Sequence, residues 1–133
     1  MSESEGRPIA GLQVTPDKYV PHRYAGASGD FNPIHIDADF AQAVGLPGAI
    51  LHGLYVMSLV ARAATDEAGG DPRALKSLAV QFRGMSFPEQ EIVITGEVSG
   101  DGPDEDDIER ITLEAGQGET RVIRNATASI ERP

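Results

Sequence analysis

Asp30, Asn32 and His35 fall within the segment GDFNPIH, residues 29–35, and a second histidine, His52, stands further along, directly before Gly53. A carboxylate and an imidazole this close in the chain are the pair that general acid–base chemistry needs, because one can hold a proton that the other releases. Gly29 and Pro33 both argue against regular helix or strand, so the pair is expected on a rigid loop. Taken alone, Asp30 and Asn32 are ordinary turn formers. A metal centre is the rival chemistry, since Asp30, His35, Asp37 and His52 are all possible ligands. Its patterns are missing: counted from Asp30, Ile34 and His35 take the fifth and sixth places of a calcium loop, where an oxygen ligand and a glycine belong, and the chain has no His-Glu-x-x-His segment. No metal ligand and no cofactor is assigned.

Other elements must hold such a loop. Leu54 to Ala64 is apolar almost all the way round, the pattern of a buried helix, and the helix is expected from His52 or Gly53 to about Ala68, where Gly69-Gly70 stops it. Arg62, Asp66 and Glu67 bring its far end to solvent. A short helix is expected from Pro21 to about Ala27, ended by Gly29, and another over Ala38 to Val44 with Asp37 as N-cap. His22 is read as a surface residue and His52 as shaping the turn into the long helix. Ile9 to Val14 has short-strand character, and residues 1–8 read as a loose tail. Leu78 to Phe82, Ile92 to Val98, Ile111 to Ala115 and Arg121 to Ile130 alternate with a period of two, so the second half is a run of strands that meanders into an antiparallel sheet. One buried helix followed by such a run gives a single α+β domain whose sheet must wrap the helix.

Composition narrows the possibilities. At 133 residues, 40% hydrophobic and 24% charged, the chain has an ordinary globular composition and fits one domain with one core. The absence of cysteine excludes disulfide scaffolds, thiolate metal sites and cysteine nucleophiles. A formal net charge of −10 opposes a general nucleic-acid role. The polar start MSESEGRP and the short apolar runs point to no export signal and no membrane span, with cytoplasmic residence as the default. Asp101 to Asp107 reads as a solvated acidic loop.

Tyr24, the string Ser28-Gly29-Asp30-Phe31-Asn32-Pro33-Ile34-His35, Ala41, Gly45-Leu46-Pro47-Gly48 and His52-Gly53 together resemble the MaoC-like (R)-specific enoyl-CoA hydratase family, also called hydratase 2. The resemblance implies a hot dog fold, a long helix wrapped by a curved antiparallel sheet that dimerisation extends. It also implies an activity: syn addition of water to a trans-2-enoyl thioester, or the reverse dehydration. That reaction needs a base for water, an acid for the α-carbon and donors for the enolate oxygen. By the resemblance, Asp30 and His35 take the first two tasks and the backbone N–H of Gly53, at the positive end of the long helix, takes the third. Asn32 lies between the pair as a supporting residue that could hold the loop or orient the water. Some bacterial members bring a serine from the long helix; the aligned position here is Ala61, and Ser58 is no evident substitute.

The implied substrate is an acyl-CoA thioester, with an acyl chain on acyl carrier protein as the alternative, and the implied assembly is a homodimer or a heterodimer with another hot dog subunit. Arg73, Lys76 and Arg83 form the densest basic cluster, and Arg23 and Arg62 are further cations that could meet CoA phosphates. A reading from a different class is a noncatalytic partner subunit that binds acyl thioesters.

Overall fold

The structure, a computed structural model, describes residues 6–132. Its elements in chain order are β1 (Arg7–Pro8), β2 (Leu12–Val14), α1 (Val20–Ser28), α2 (Pro33–Ile36), α3 (Ala38–Ala43), α4 (Gly53–Glu67), a 3-10 turn (Pro72–Ala74), β3 (Leu75–Phe82), β4 (Ile92–Val98), β5 (Ile108–Gln117) and β6 (Thr120–Glu131). The strands form one antiparallel sheet in the order β1-β4-β5-β6-β3, and β2 pairs with the stretch of β4 beyond β1. The expected meander is β4-β5-β6. β3 precedes it in the chain but pairs with β6, so the segment between β3 and β4 crosses the sheet and β3 becomes an outer strand.

α4 packs against β3, β4, β5 and β6. Its buried positions, Val56, Leu59, Val60, Ala63 and Ala64, recur at spacings of three and four and so form one stripe. The stripe meets Ile92, Ile94, Ile111, Ile123 and Ile130, all fully buried on the strands. β-branched residues suit the pleated side of this contact, and the paired alanines let the helix axis come close to the sheet. The hot dog arrangement of helix and antiparallel sheet is thus present. No helix among the described residues is long and apolar enough to cross a membrane.

Four expectations are corrected. Residues 33–36 form a helical turn instead of a loop, because Pro33 sits at the first helical position, where its fixed φ is correct and its missing N–H is not needed. Arg7 and Pro8 pair with Val98 and Glu97, so that part of the supposed tail is held; residues 1–5 lie outside the described residues. The first strand character, expected over Ile9 to Val14, is confined to Leu12–Val14, while the Ile9 N–H still reaches the Gly96 carbonyl of β4. Glu67 is only partly exposed, unlike the exposed Arg62 and Asp66: its carboxylate accepts from Arg132 at 2.9 Å and from Arg7 at 3.4 Å.

Arg132 also donates to the Glu67 carbonyl at the end of α4, at 2.6 Å, and to the buried carboxylate of Glu109 on β5. Burial works against its charge, but the hydrogen bonds to Glu67 and Glu109 outweigh it and hold the guanidinium above its ordinary pKa. One side chain thereby fastens the C-terminal end of α4 to the sheet. Arg132→Met leaves Glu109 without its cation and Glu67 with only the exposed Arg7, and is expected to cost about 2–4 kcal/mol, below the figure for a fully buried pair because Arg132 is partly exposed. Urea unfolding reads this directly, and an unchanged midpoint and slope would remove the fastening role.

Candidate active site

The Asp30–His35 segment is built by three successive side-chain-to-backbone turns. Gly29 ends α1 in the left-handed region, φ 79°, a conformation that glycine adopts without a Cβ penalty. Ser28 Oγ then accepts from the Asp30 N–H, Asp30 Oδ1 from the Asn32 N–H, and Asn32 Oδ1 from the Ile34 N–H, each at 3.2 Å. Short polar side chains are used at these positions because they can satisfy a backbone donor two residues on. Asn32 is therefore the N-cap of α2, and its side-chain oxygen holds the turn.

This ladder occupies Oδ1 of Asp30 and leaves Oδ2 available, 3.9 Å from Nε2 of His35. His35 is 8% exposed and its ring is fixed from its other side, where Nδ1 lies 2.9 Å from the Ile50 carbonyl. A carbonyl only accepts, so Nδ1 carries the proton in the neutral ring and the Nε2 lone pair faces Asp30. A second bond, from the Ile50 N–H to the Ile34 carbonyl at 3.0 Å, ties the same two segments. Two acceptors thus converge on one small space. Their complement is a molecule with two hydrogens to donate, and a water about 2.8 Å from each fits the apex of that triangle.

His52 and Gly53 complete the arrangement. His52 is extended (φ −66°, ψ 135°) and is the N-cap of α4, so Gly53 is its first helical residue. Helix starts leave their first N–H groups without intrahelical partners, and the Gly53 N–H has no hydrogen bond among the described residues. A Cβ at Gly53 would lie 3.2 and 3.3 Å from two atoms of the Phe82 ring, so glycine here lets the end of β3 close over the helix start. Phe82 was not singled out in the sequence, because the last apolar residue of an alternating strand carries no mark of its own. It remains 48% exposed. Two other large apolar side chains adjoin the site in the chain and are similarly exposed, Phe31 after Asp30 at 59% and Leu54 after Gly53 at 61%.

The remaining residues fall as follows. His22 is exposed, with its ring edge to Tyr19. Asp37 caps α3, accepting from the Phe40 N–H at 3.1 Å, and is not part of the histidine cluster. Asp30, His35 and His52 place one potential ligand atom each within 4.8 Å of one another. Such spacing admits a divalent cation, but His35 Nδ1 faces the Ile50 carbonyl and His52 Nε2 the Asp30 carbonyl, so only one nitrogen of each ring is left to ligate. Ala61 on α4 offers no hydroxyl, and the Ser58 hydroxyl donates to the Tyr55 carbonyl of its own helix at 2.5 Å.

The basic cluster is not one patch. Arg73 pairs with Asp71 at 3.0 Å and Lys76 with Glu131 at 3.4 Å, near the start of β3. Arg83 lies beyond the other end of the strand, directly after Phe82, and donates to the Gln81 side chain. Arg23 and Arg62 pair with Asp17 and Asp66.

A hot dog domain with a carboxylate, an imidazole and a free helix-start amide gathered at the N-terminal end of its long helix is the class that these observations define. The family model described as the MaoC like domain matches residues 3–122, and the chain belongs to that family. It is 39% identical over 75 residues to the fatty acid synthase beta subunit TOXC of Cochliobolus carbonum, a match covering 53% of this chain and 4% of that subunit. It is 37% identical over 67 residues to the peroxisomal enoyl-CoA hydratase 2 of Arabidopsis thaliana, covering 50% of this chain and 22% of the relative. The chain thus spans only a small part of the length of these relatives. Among solved structures, the (R)-hydratase from A. caviae involved in PHA biosynthesis superposes with a TM-score of 0.85 at 22% identity, over 96% of both chains, and shows the same fold.

Proposed function

We propose that the chain is an (R)-specific enoyl-CoA hydratase, equivalently a 3-hydroxyacyl-CoA dehydratase, with Asp30 and His35 as catalytic residues and the Gly53 N–H as oxyanion donor. The observation that carries this reading is the convergence of the free Asp30 oxygen and the His35 Nε2 lone pair, 3.9 Å apart, beside a helix-start amide without a partner among the described residues. Family membership and the plant hydratase support it. A water held by both acceptors loses a proton to the pair as its oxygen attacks C3 of the enoyl thioester. The electron pair of the double bond moves onto the thioester oxygen, where the Gly53 N–H and the α4 dipole stabilise the charge. The enolate then collapses and takes a proton at C2 from the same pair. Both new bonds form on one face, and the net change is one water added.

Mixing the purified protein with crotonyl-CoA and following loss of absorbance from the conjugated thioester tests this directly. Turnover supports the assignment, and no turnover with either the CoA or the carrier-linked substrate sinks it. The match to a fatty acid synthase subunit favours keeping the carrier-linked acyl chain as a second reading. The net charge of −10 tilts against it, because carrier proteins are themselves acidic. A noncatalytic partner subunit is disfavoured by the presence of both Asp30 and His35.

The minimum functional unit in this reading is a dimer, with another copy or with a different hot dog subunit. β3 is an outer strand, unpaired on one edge among the described residues, and the exposed Phe31, Leu54 and Phe82 adjoin the site. Pairing two β3 edges would continue the sheet and cover apolar surface in one step. Light scattering of the purified chain at micromolar concentration is expected to give twice the monomer mass. A monomeric mass with turnover intact rejects the dimer.

Because the acid–base pair needs no Lewis acid, extensive chelator treatment is expected to leave turnover unchanged. Loss of activity restored by zinc or calcium would transfer the chemistry to the Asp30, His35 and His52 cluster.

A further inference from the structure

Asp30 and His35 lie on one segment and Gly53 on another, and a single side chain touches or adjoins all three. His52 is 2% exposed, and its Nε2 lies 3.0 Å from the backbone carbonyl of Asp30. Its ring stacks on that of His35, with centroids 3.9 Å apart and planes 20° from parallel. Tyr24 of α1 packs on it at 4.8 Å, and His52 is itself the residue before Gly53. A carbonyl oxygen can only accept, so His52 carries its proton on Nε2, and its Nδ1, buried and without a partner among the described residues, is the bare nitrogen. Filling space before a helix would not require this set of contacts. An apolar ring could stack as well and would leave no buried nitrogen unsatisfied, whose presence costs stability. What an apolar ring could not supply is the N–H to Asp30.

We infer that His52 is a positioning residue, whose Nε2–H sets the distance between the Asp30 carboxylate and the Gly53 amide while its ring face fixes the plane of His35. The inference rests on the proposed hydratase reading for its kinetic consequence but not for its geometry. Without the Nε2–H bond, the Asp30 carbonyl has no tie to the start of α4, and the Asp30 end of the ladder can shift relative to Gly53 while its Ile34 end stays held by the Ile50 N–H. Misplacement by about 1 Å of groups that must act on two adjacent carbons and an oxygen can cost on the order of 10²-fold in rate. His52 is buried and offers no surface to the remote parts of a thioester, so binding through those parts is expected to persist. The loss therefore falls on kcat and not on KM.

Three substitutions separate this from a packing role. Glutamine places an amide nitrogen near the position of Nε2, asparagine places one near Nδ1, and phenylalanine keeps the ring and the stacking without any donor. His52→Gln is expected to keep kcat within about tenfold of the parent, whereas His52→Asn and His52→Phe lose roughly 10–10² with KM little changed. If phenylalanine matches or exceeds glutamine, or if glutamine gives no rescue, the positioning role is overturned. A spectroscopic measurement on the parent protein stands apart from activity and from the folding of any variant. In 15N-labelled-histidine NMR spectra, His52 is expected as the Nε2–H tautomer with a slowly exchanging proton. An Nδ1–H tautomer overturns the inference even if the enzyme is active. An Nε2–H tautomer in a protein that hydrates no enoyl thioester would retain the link to Asp30 and reject the hydratase reading instead.

Discussion

Asp30→Asn is expected to lower kcat for enoyl-thioester hydration by about 10²–10⁴-fold, the range for loss of a general acid or base. The substitution is nearly isosteric, and an asparagine oxygen can still accept from the Asn32 N–H, so the ladder of turns that builds the loop persists. What disappears is the second acceptor facing Nε2 of His35, replaced by an amide that donates. For His35 the informative change is asparagine, since alanine would leave the Ile50 carbonyl without its donor and mix a folding defect with a chemical one. His35→Asn keeps a donor near Nδ1 and removes Nε2. Its loss is expected in the same range. The double variant should fall little below the worse single one, because two residues proposed to hold one water would act as a unit. Melting temperatures within a few degrees of the parent are the control. Near-parental hydration by Asp30→Asn would make the noncatalytic reading the leading one.

The second large effect concerns the proposed oxyanion donor, the Gly53 N–H, which is a backbone group and cannot be removed by trimming a side chain. Proline at position 53 removes the N–H itself. The local geometry admits it: the first turn of a helix tolerates proline, and His52 already has the extended conformation that a residue before proline prefers. The obstacle is the Phe82 ring, 3.2 Å from where a Cβ would sit, so the change is made in a Phe82→Ala background. Gly53→Pro with Phe82→Ala is expected to lose about 10²–10³ in kcat relative to Phe82→Ala alone, the cost of one oxyanion donor. Circular dichroism should show α4 intact. Equal turnover of the two proteins would place the enolate oxygen elsewhere.

Where the sequence and the structure meet, the agreement follows the range of the interactions. The cap at Asp37, the stop at Gly69-Gly70 and the strand run after residue 75 were legible because each depends on neighbours a few residues away. Pro33 is the instructive failure. The sequence presents it as a breaker, yet behind an asparagine whose side chain caps the turn it starts a helix, and the same residue type has opposite effects at the first position and in the interior. The Arg73, Lys76 and Arg83 grouping dispersed because a strand of this length carries its two ends far apart.

The sequence by itself determined which residues can do acid–base chemistry here, that they lie in a turn-rich segment ahead of a buried helix, and the family whose motif they carry. Those are properties of side-chain chemistry and of local backbone preference. The tertiary structure alone decided that β3 lies at the outer edge of the sheet, that Arg132 fastens the end of α4, that Phe82 closes over Gly53, and that His52 hydrogen-bonds the Asp30 backbone while stacking on His35. Each of these is a contact between residues distant in the chain. Such contacts arise from how the apolar faces of α4 and the sheet pack, and an alternating or periodic pattern specifies that a face is buried without specifying what it meets.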